Sequence, residues 1–272
     1  MEETAYAKLN LALHVRGREA DGYHRVETVF AFAQAGDLLR VAEGDSLTLR
    51  IEGPFASQLT AEPDNLVLRA AAALRQRFGI ARGAALTLDK YLPIAAGLGG
   101  GSADAAATLR LLLRFWALPN ALEELVPIAR ALGADVPACL LSRPVRGEGR
   151  GDNLLPLAHW PLAGAPVLLA NPRIALSTAE VFRAWGGRDR GALGEPMTGR
   201  NDLEEPALRL VPAIGDVLEA LRATEGVRLV RMSGSGASCF ALYEHDQARD
   251  TAHAEIAARH PGWWLLASNL RA

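Results

Sequence analysis

The chain has 272 residues, half of them hydrophobic and 22% charged, as expected of a globular protein with one large or two modest domains. A formal net charge of -2 excludes the basic excess of a general nucleic-acid binder, and no apolar run is long enough to span a membrane. The acidic start, Met1-Glu2-Glu3-Thr4, is unlike a signal peptide, so the cytoplasm is the expected compartment.

Residues 4–15 alternate well enough to predict a strand, and 25–33, 38–43 and 46–52 predict three more. The last two are expected to join through a hairpin-like turn around Glu43-Gly44-Asp45. Asn65 suits the cap of a helix running to Phe78, with Gly79 as its stop. A strand at 85–91 leads to a glycine-rich turn and a helix from about Ser102 to Trp116. A helix at about 121–132 and a strand near 138–146 follow. Residues 147–164, with four glycines and two prolines, mark the crossing into a second unit.

Beyond the crossing, Val167–Ala170 is a predicted strand, and Ser177-Thr178-Ala179-Glu180 is a capping box opening a helix. A helix at 205–223, strands at 227–232 and 238–243, a helix at 246–259 and a strand at 263–268 complete the chain. Setting one extra helix aside, that order is β-α-β-β-α-β, the ferredoxin-like arrangement. The expected fold class is α+β with two lobes, divided into 1–155 and 156–272.

Cys139 and Cys239 lie in small apolar surroundings and read as core hydrophobes. A disulfide between them stays open, although nothing else points to an oxidising compartment. The six histidines show no zinc-ligand spacing, and no structural metal is expected. Of the 29 basic residues only Lys8 and Lys90 are lysines. Coding bias explains the excess of arginine, but where lysine persists a compact ammonium can be required that a planar guanidinium cannot replace. Both are therefore candidate site residues.

The strongest local signal is Pro93-Ile94-Ala95-Ala96-Gly97-Leu98-Gly99-Gly100-Gly101-Ser102-Ala103. Its glycines let a ligand approach the backbone, and a strong helix follows at once. A helix start offers free amides and the positive end of the dipole to an anion. Ser102 is placed to cap the helix, touch a phosphate or reach a magnesium ion. A flexible loop ending in a cap is the plainer alternative. The segment is not a P-loop, because no Gly-Lys-Ser/Thr closes it, and Asp104 stands where a dinucleotide fingerprint needs glycine. Protein-kinase signatures are absent from the sequence.

This motif resembles the ATP motif of the GHMP kinases (galactokinase, homoserine kinase, mevalonate kinase and relatives). Ala7-Lys8-Leu9-Asn10-Leu11 and Ser233-Gly234-Ser235-Gly236-Ala237-Ser238 fit in the same order along the chain. Asp21-Gly22-Tyr23-His24 and Leu132-Gly133-Ala134-Asp135-Val136-Pro137 narrow the resemblance. They point to the branch that phosphorylates the 2-hydroxyl of a cytidine diphosphate-linked methylerythritol in the non-mevalonate isoprenoid pathway. That resemblance implies ATP as co-substrate with Mg2+, a small-molecule acceptor, and a monomer or weak homodimer. Residues 93–103 would bind ATP, with Asn65 and Lys90 flanking the nucleotide. One departure is Ala103, where the family commonly has a second serine.

Asp135 is the candidate base, in apolar surroundings where a carboxylate is costly without work or a partner, although aspartate in a turn is often only a cap. Lys8 on the first strand can keep it ionised, orient the hydroxyl and offset charge on the transferring group. The resemblance makes these two the catalytic pair. Asn10, two residues on, faces the same side of its strand and can bond the substrate. Tyr23 and His24 match the cytosine-recognition segment, and Phe182 can cover the base's other face or be plain core. The Gly234–Gly236 turn reads as a tight hairpin; in the family it supports the phosphate loop. The sequence assigns no magnesium ligand. A homoserine- or mevalonate-type kinase and a non-catalytic nucleotide-binding relative remain the alternatives.

Overall fold

The computed structural model describes residues 1–118 and 122–272. By compactness the chain falls into two units that interleave along the sequence. Unit one holds Met1–Ala7, Ala35–Ile94 and Gly99–Ser142; unit two holds Lys8–Gln34, Ala95–Leu98 and Arg143–Ala272.

The first strands, β1 (Glu2–Arg18) and β2 (His24–Ala42), are longer than expected, and β2 fuses the strands predicted at 25–33 and 38–43. Gly36 lets the β1 backbone approach β2 closely in unit one: a Cβ there would collide with Ala5 O. Next come β3 (Leu47–Glu52), α1 (Leu66–Phe78) and β4 (Ala84–Asp89). The hairpin expected between β2 and β3 does not form. Instead β4 pairs antiparallel with β2, Arg40 opposite Thr87, and parallel with β3, Leu49 opposite Leu86. Gly44 packs on the start of β4, where a Cβ would meet Ala85 N at 3.1 Å.

Asn65 caps α1 as predicted, its Oδ1 accepting from Val67 N at 3.0 Å, and Gly79 ends the helix in the left-handed region at φ 63°. The next helix, α2 (Gly100–Phe115), is buried on almost every face, from Ala103 through Leu113. It is followed by α3 (Leu122–Leu132); the start of the helix expected from 121 lies outside the described residues. The strand predicted near 138–146 is a correction. Its first part is a helix, α4 (Val136–Leu141), which Pro137 suits because a first-turn residue needs no intrahelical N–H. Only Val145–Gly149 is a strand, β5.

In unit two, β5 pairs with the first half of β2 and with β6 (Asn153–Pro156). The rest of the unit is β7 (Pro166–Asn171), α5 (Thr178–Ala184), α6 (Glu204–Leu210), α7 (Ala213–Arg222), β8 (Val227–Met232), β9 (Cys239–Tyr243), α8 (Asp246–Arg259) and β10 (Trp264–Asn269). The single helix expected at 205–223 is two, because Pro212 pushes Val211 out of the helical region. The sheet order β10-β7-β9-β8 is the antiparallel ferredoxin-like arrangement that the motif order predicted. Leu168, Val217, Leu221, Ala241 and Ile256 lie in its core. Both cysteines are buried. Among the described residues no helix is long and apolar enough to cross a membrane.

Candidate active site

The glycine-rich turn is shared between the units: Pro93, Ile94 and Gly99–Ala103 belong to unit one, Ala95–Leu98 to unit two. Gly99, not Ser102, is the cap residue of α2. It sits at φ 61° and accepts from Ala103 N at 2.8 Å, so Ser102 lies inside the first turn. The amides of Gly100, Gly101 and Ser102 precede the first intrahelical bond and are the donors that a helix start offers an anion. Ala103 is buried.

In unit two the middle of the turn is held by backbone bonds. Lys8 N donates to Leu98 O at 3.0 Å and Ser238 N to Ala96 O at 3.1 Å. Ser233 Oγ donates to Gly97 O at 2.9 Å. Gly97 is at φ 74°, and a side chain there would collide with Ser233 O and lie 2.9 Å from Gly236 O. The 233–238 segment connects β8 to β9 as a hairpin and braces this stretch.

Lys8 is buried, as a surface lysine would not be. Its Nζ donates to Asn10 Oδ1 at 2.8 Å and stands 4.9 Å from the centre of the Phe30 ring. Asn10 Nδ2 donates to Thr28 Oγ1 at 2.8 Å, and Thr28 Oγ1 donates to Ala12 O at 2.7 Å. Asn10 does share Lys8's face, and its amide oxygen accepts from the ammonium. Thr28, which sequence reasoning missed, fixes the amide so that its oxygen points at Lys8.

His24 and Phe182 also meet in unit two, with ring centres 4.8 Å apart. In this arrangement the two rings touch each other at a tilt of 34°. Trp185 adds an edge contact at 5.6 Å; its position three residues beyond Phe182 was the signal that could have found it. Burial, helped by Arg18, holds the His24 pKa below its ordinary value. Tyr23 is exposed, and the Arg150 guanidinium lies 3.9 Å over its ring while pairing with Asp21.

Asp135, in unit one, is half-buried at the N-cap position of α4, with no cap bond from its side chain. Lys8 belongs to the other unit. Asn65 spends its side chain on the chain itself, Oδ1 on Val67 N and Nδ2 on Thr60 O at 2.9 Å. Lys90 departs most from expectation. Rather than presenting its ammonium to a nucleotide, it is buried and donates to Asp37 Oδ2 and Asp104 Oδ2, each at 2.6 Å. Burial alone would lower its pKa; Asp104 and Asp37 outweigh that and raise it. Burial also drives the Asp104 carboxyl up to about 7 against the pull of Lys90. An acid inside the apolar run Ala35-Gly36-Asp37-Leu38-Leu39 was the available signal for Asp37.

Two family patterns match, GHMP kinases N terminal domain over residues 65–143 and GHMP kinases C terminal over 178–262. The 4-diphosphocytidyl-2-C-methyl-D-erythritol kinase of Rhizorhabdus wittichii is 53% identical, over 99% of this chain and 94% of its own. The chain belongs to the GHMP kinases. The protein of the same name from Sphingopyxis alaskensis is 50% identical over 100% of this chain and 99% of its own. A crystal structure of 4-(cytidine 5'-diphospho)-2C-methyl-D-erythritol kinase matches with TM-score 0.83 at 35% identity, covering 100% of both chains. Homoserine kinase from Cytophaga hutchinsonii, 19% identical with TM-score 0.71 over 99% of this chain and 94% of its own, shares the fold. As a GHMP kinase the chain is an ATP-using small-molecule phosphotransferase with the α+β fold that its motifs announced.

Proposed function

We propose that this GHMP kinase transfers the γ-phosphoryl group of ATP to the 2-hydroxyl of 4-diphosphocytidyl-2-C-methyl-D-erythritol, giving the 2-phosphate and ADP, in the cytoplasm. The observation that carries the reading is identity of about half, over the full length, to proteins of that name. The His24, Phe182 and Trp185 cluster supports it, because a cytosine has a flat face to stack and homoserine and mevalonate have none.

Asp135 accepts the proton as the hydroxyl oxygen attacks phosphorus and the bond to the ADP oxygen breaks. Lys8, aimed by Asn10, offsets the charge spread over the transferring group. The first-turn amides of α2 hold the phosphates. Tyr23 and His24 bind the cytidylyl end. Because the transition state is loose, placement and charge outweigh base strength.

Among the described residues no group of three or more His, Cys, Asp or Glu could hold a metal ion. Magnesium usually arrives with nucleotide phosphates, and the Ser102 hydroxyl in the first turn of α2 is the protein group proposed to approach it. Bound there, magnesium would neutralise phosphate charge. The chain acts as a monomer or weak homodimer.

ADP release from MgATP tests the reading. The cytidylyl substrate should drive it, and homoserine and mevalonate should not. Equal release with either control would overturn the substrate assignment.

A further inference from the structure

Both ends of the glycine-rich turn are tied to one buried cluster of charge inside unit one. Asp37 on β2 holds the chain before the turn: its Oδ1 accepts from Tyr91 N at 2.6 Å and Leu92 N at 2.8 Å. Its Oδ2 accepts from Lys90 Nζ, and the same ammonium donates to Asp104 on the second turn of α2. The helix start closes over this ammonium, since a Cβ at Gly100 would lie 3.1 Å from Lys90 Nζ.

A cluster kept for stability alone would be differently built. Two carboxylates share one ammonium, all three are buried, and Asp104 Oδ1 has no hydrogen-bond partner. Such an arrangement costs free energy that an apolar contact of the same volume would not. What it supplies is a fixed distance between the residues before the turn and the first turn of α2. It also accounts for lysine in a chain that otherwise writes arginine: two carboxylate oxygens, each 2.6 Å from one nitrogen, fit a point cation and not a planar fork.

We propose that Asp37, Lys90 and Asp104 are positioning residues for ATP, a triad that aims the amides of Gly100, Gly101 and Ser102 at the nucleotide's phosphates. The inference rests on the phosphate-binding reading above. The charged groups that bear on Asp104 are Lys90, after β4, and Asp37, on β2. With its carboxyl near 7, Asp104 gains a proton as the solution turns mildly acidic. The neutral acid attracts Lys90 less, and the tether on α2 slackens.

The test compares the parent enzyme with Asp104→Asn, measuring kcat and both KM values across mildly acidic to mildly alkaline pH. Excess magnesium keeps the nucleotide ionised. In the parent, KM for MgATP should rise several-fold on the acid side. In the variant it should be high and insensitive to pH, with kcat and the cytidylyl KM close to the parent's. A variant with the parent's KM and pH profile would overturn the proposal, as would equal damage to both KM values and kcat. A parent that turns over no MgATP would reject the kinase reading itself, a distinguishable failure. If Asp104→Asn does not fold, the parent's pH series decides: a flat KM for MgATP overturns the triad's role.

Discussion

Lys8 Nζ and Asn10 Oδ1 are 2.8 Å apart on one face of β1, and both side chains are buried. A cation in such a place keeps one direction because the amide, itself held by Thr28, points it there. Removing a hydrogen bond to a charged group costs about 1.5–3 kcal/mol. Asn10→Ala should therefore lower kcat by roughly 10- to 100-fold. KM for MgATP should change little, and steady-state kinetics with each substrate varied in turn checks the split.

The middle of the phosphate turn demands glycine at 97. An alanine would force a left-handed backbone and a collision with Ser233 O. Gly97→Ala should cost about 2 kcal/mol or more and lower the thermal midpoint by roughly 4 °C or more. Thermal unfolding of the purified variant measures this. Gly164→Ala, also at positive φ but with open space around its Cβ, is the control and should lose less.

His24 carries the pH prediction for the acceptor side. Burial and then Arg18 lower its pKa, so the ring is neutral at pH 7 and gains a proton only below its ordinary value of 6.5. KM for the cytidylyl substrate should stay level from alkaline pH down through neutrality and rise only in more acidic solution. Phe182→Ala should raise that KM while leaving KM for MgATP unchanged. A KM that changes near neutrality would contradict a depressed His24.

Much of this was legible in the sequence, and what was missed has a common cause. Local chemistry announced itself: the Asn65 cap, the Gly79 stop, the Ser177 cap and the order of strands and helices after residue 165. Pairing over long distance did not. Nothing in Glu43-Gly44-Asp45 says that β4 will insert between β2 and β3, because register depends on a partner some forty residues away. The same limit applied to side chains. Lys8 and Lys90 stood out by rarity, and Asp37 by its apolar neighbours, but Thr28 and Asp104 gain meaning only once the fold sets them against Asn10 and Lys90.

Asp104 also makes a stability prediction with a defined sign. Its folded pKa of about 7 lies above the ordinary 3.8, so the folded state holds the proton more tightly. The stability it contributes is full below pH 3.8 and is lost as pH rises through about 7. Asparagine cannot titrate and does not share this loss. The stability of Asp104→Asn relative to the parent should therefore improve as pH rises from acidic to alkaline, as urea unfolding across that range would show. A difference constant with pH would mean that Asp104 does not titrate in the folded protein.

The most direct measurement is single-turnover phosphorylation of the cytidylyl substrate by Asp135→Asn, alongside MgATP binding to the same variant. With the carboxylate replaced by an amide of nearly the same shape, the rate should fall by about 10²–10⁴-fold. MgATP affinity should match the parent's. A variant that binds the nucleotide and transfers its phosphoryl group at the parent's rate would contradict the assignment of Asp135 as base.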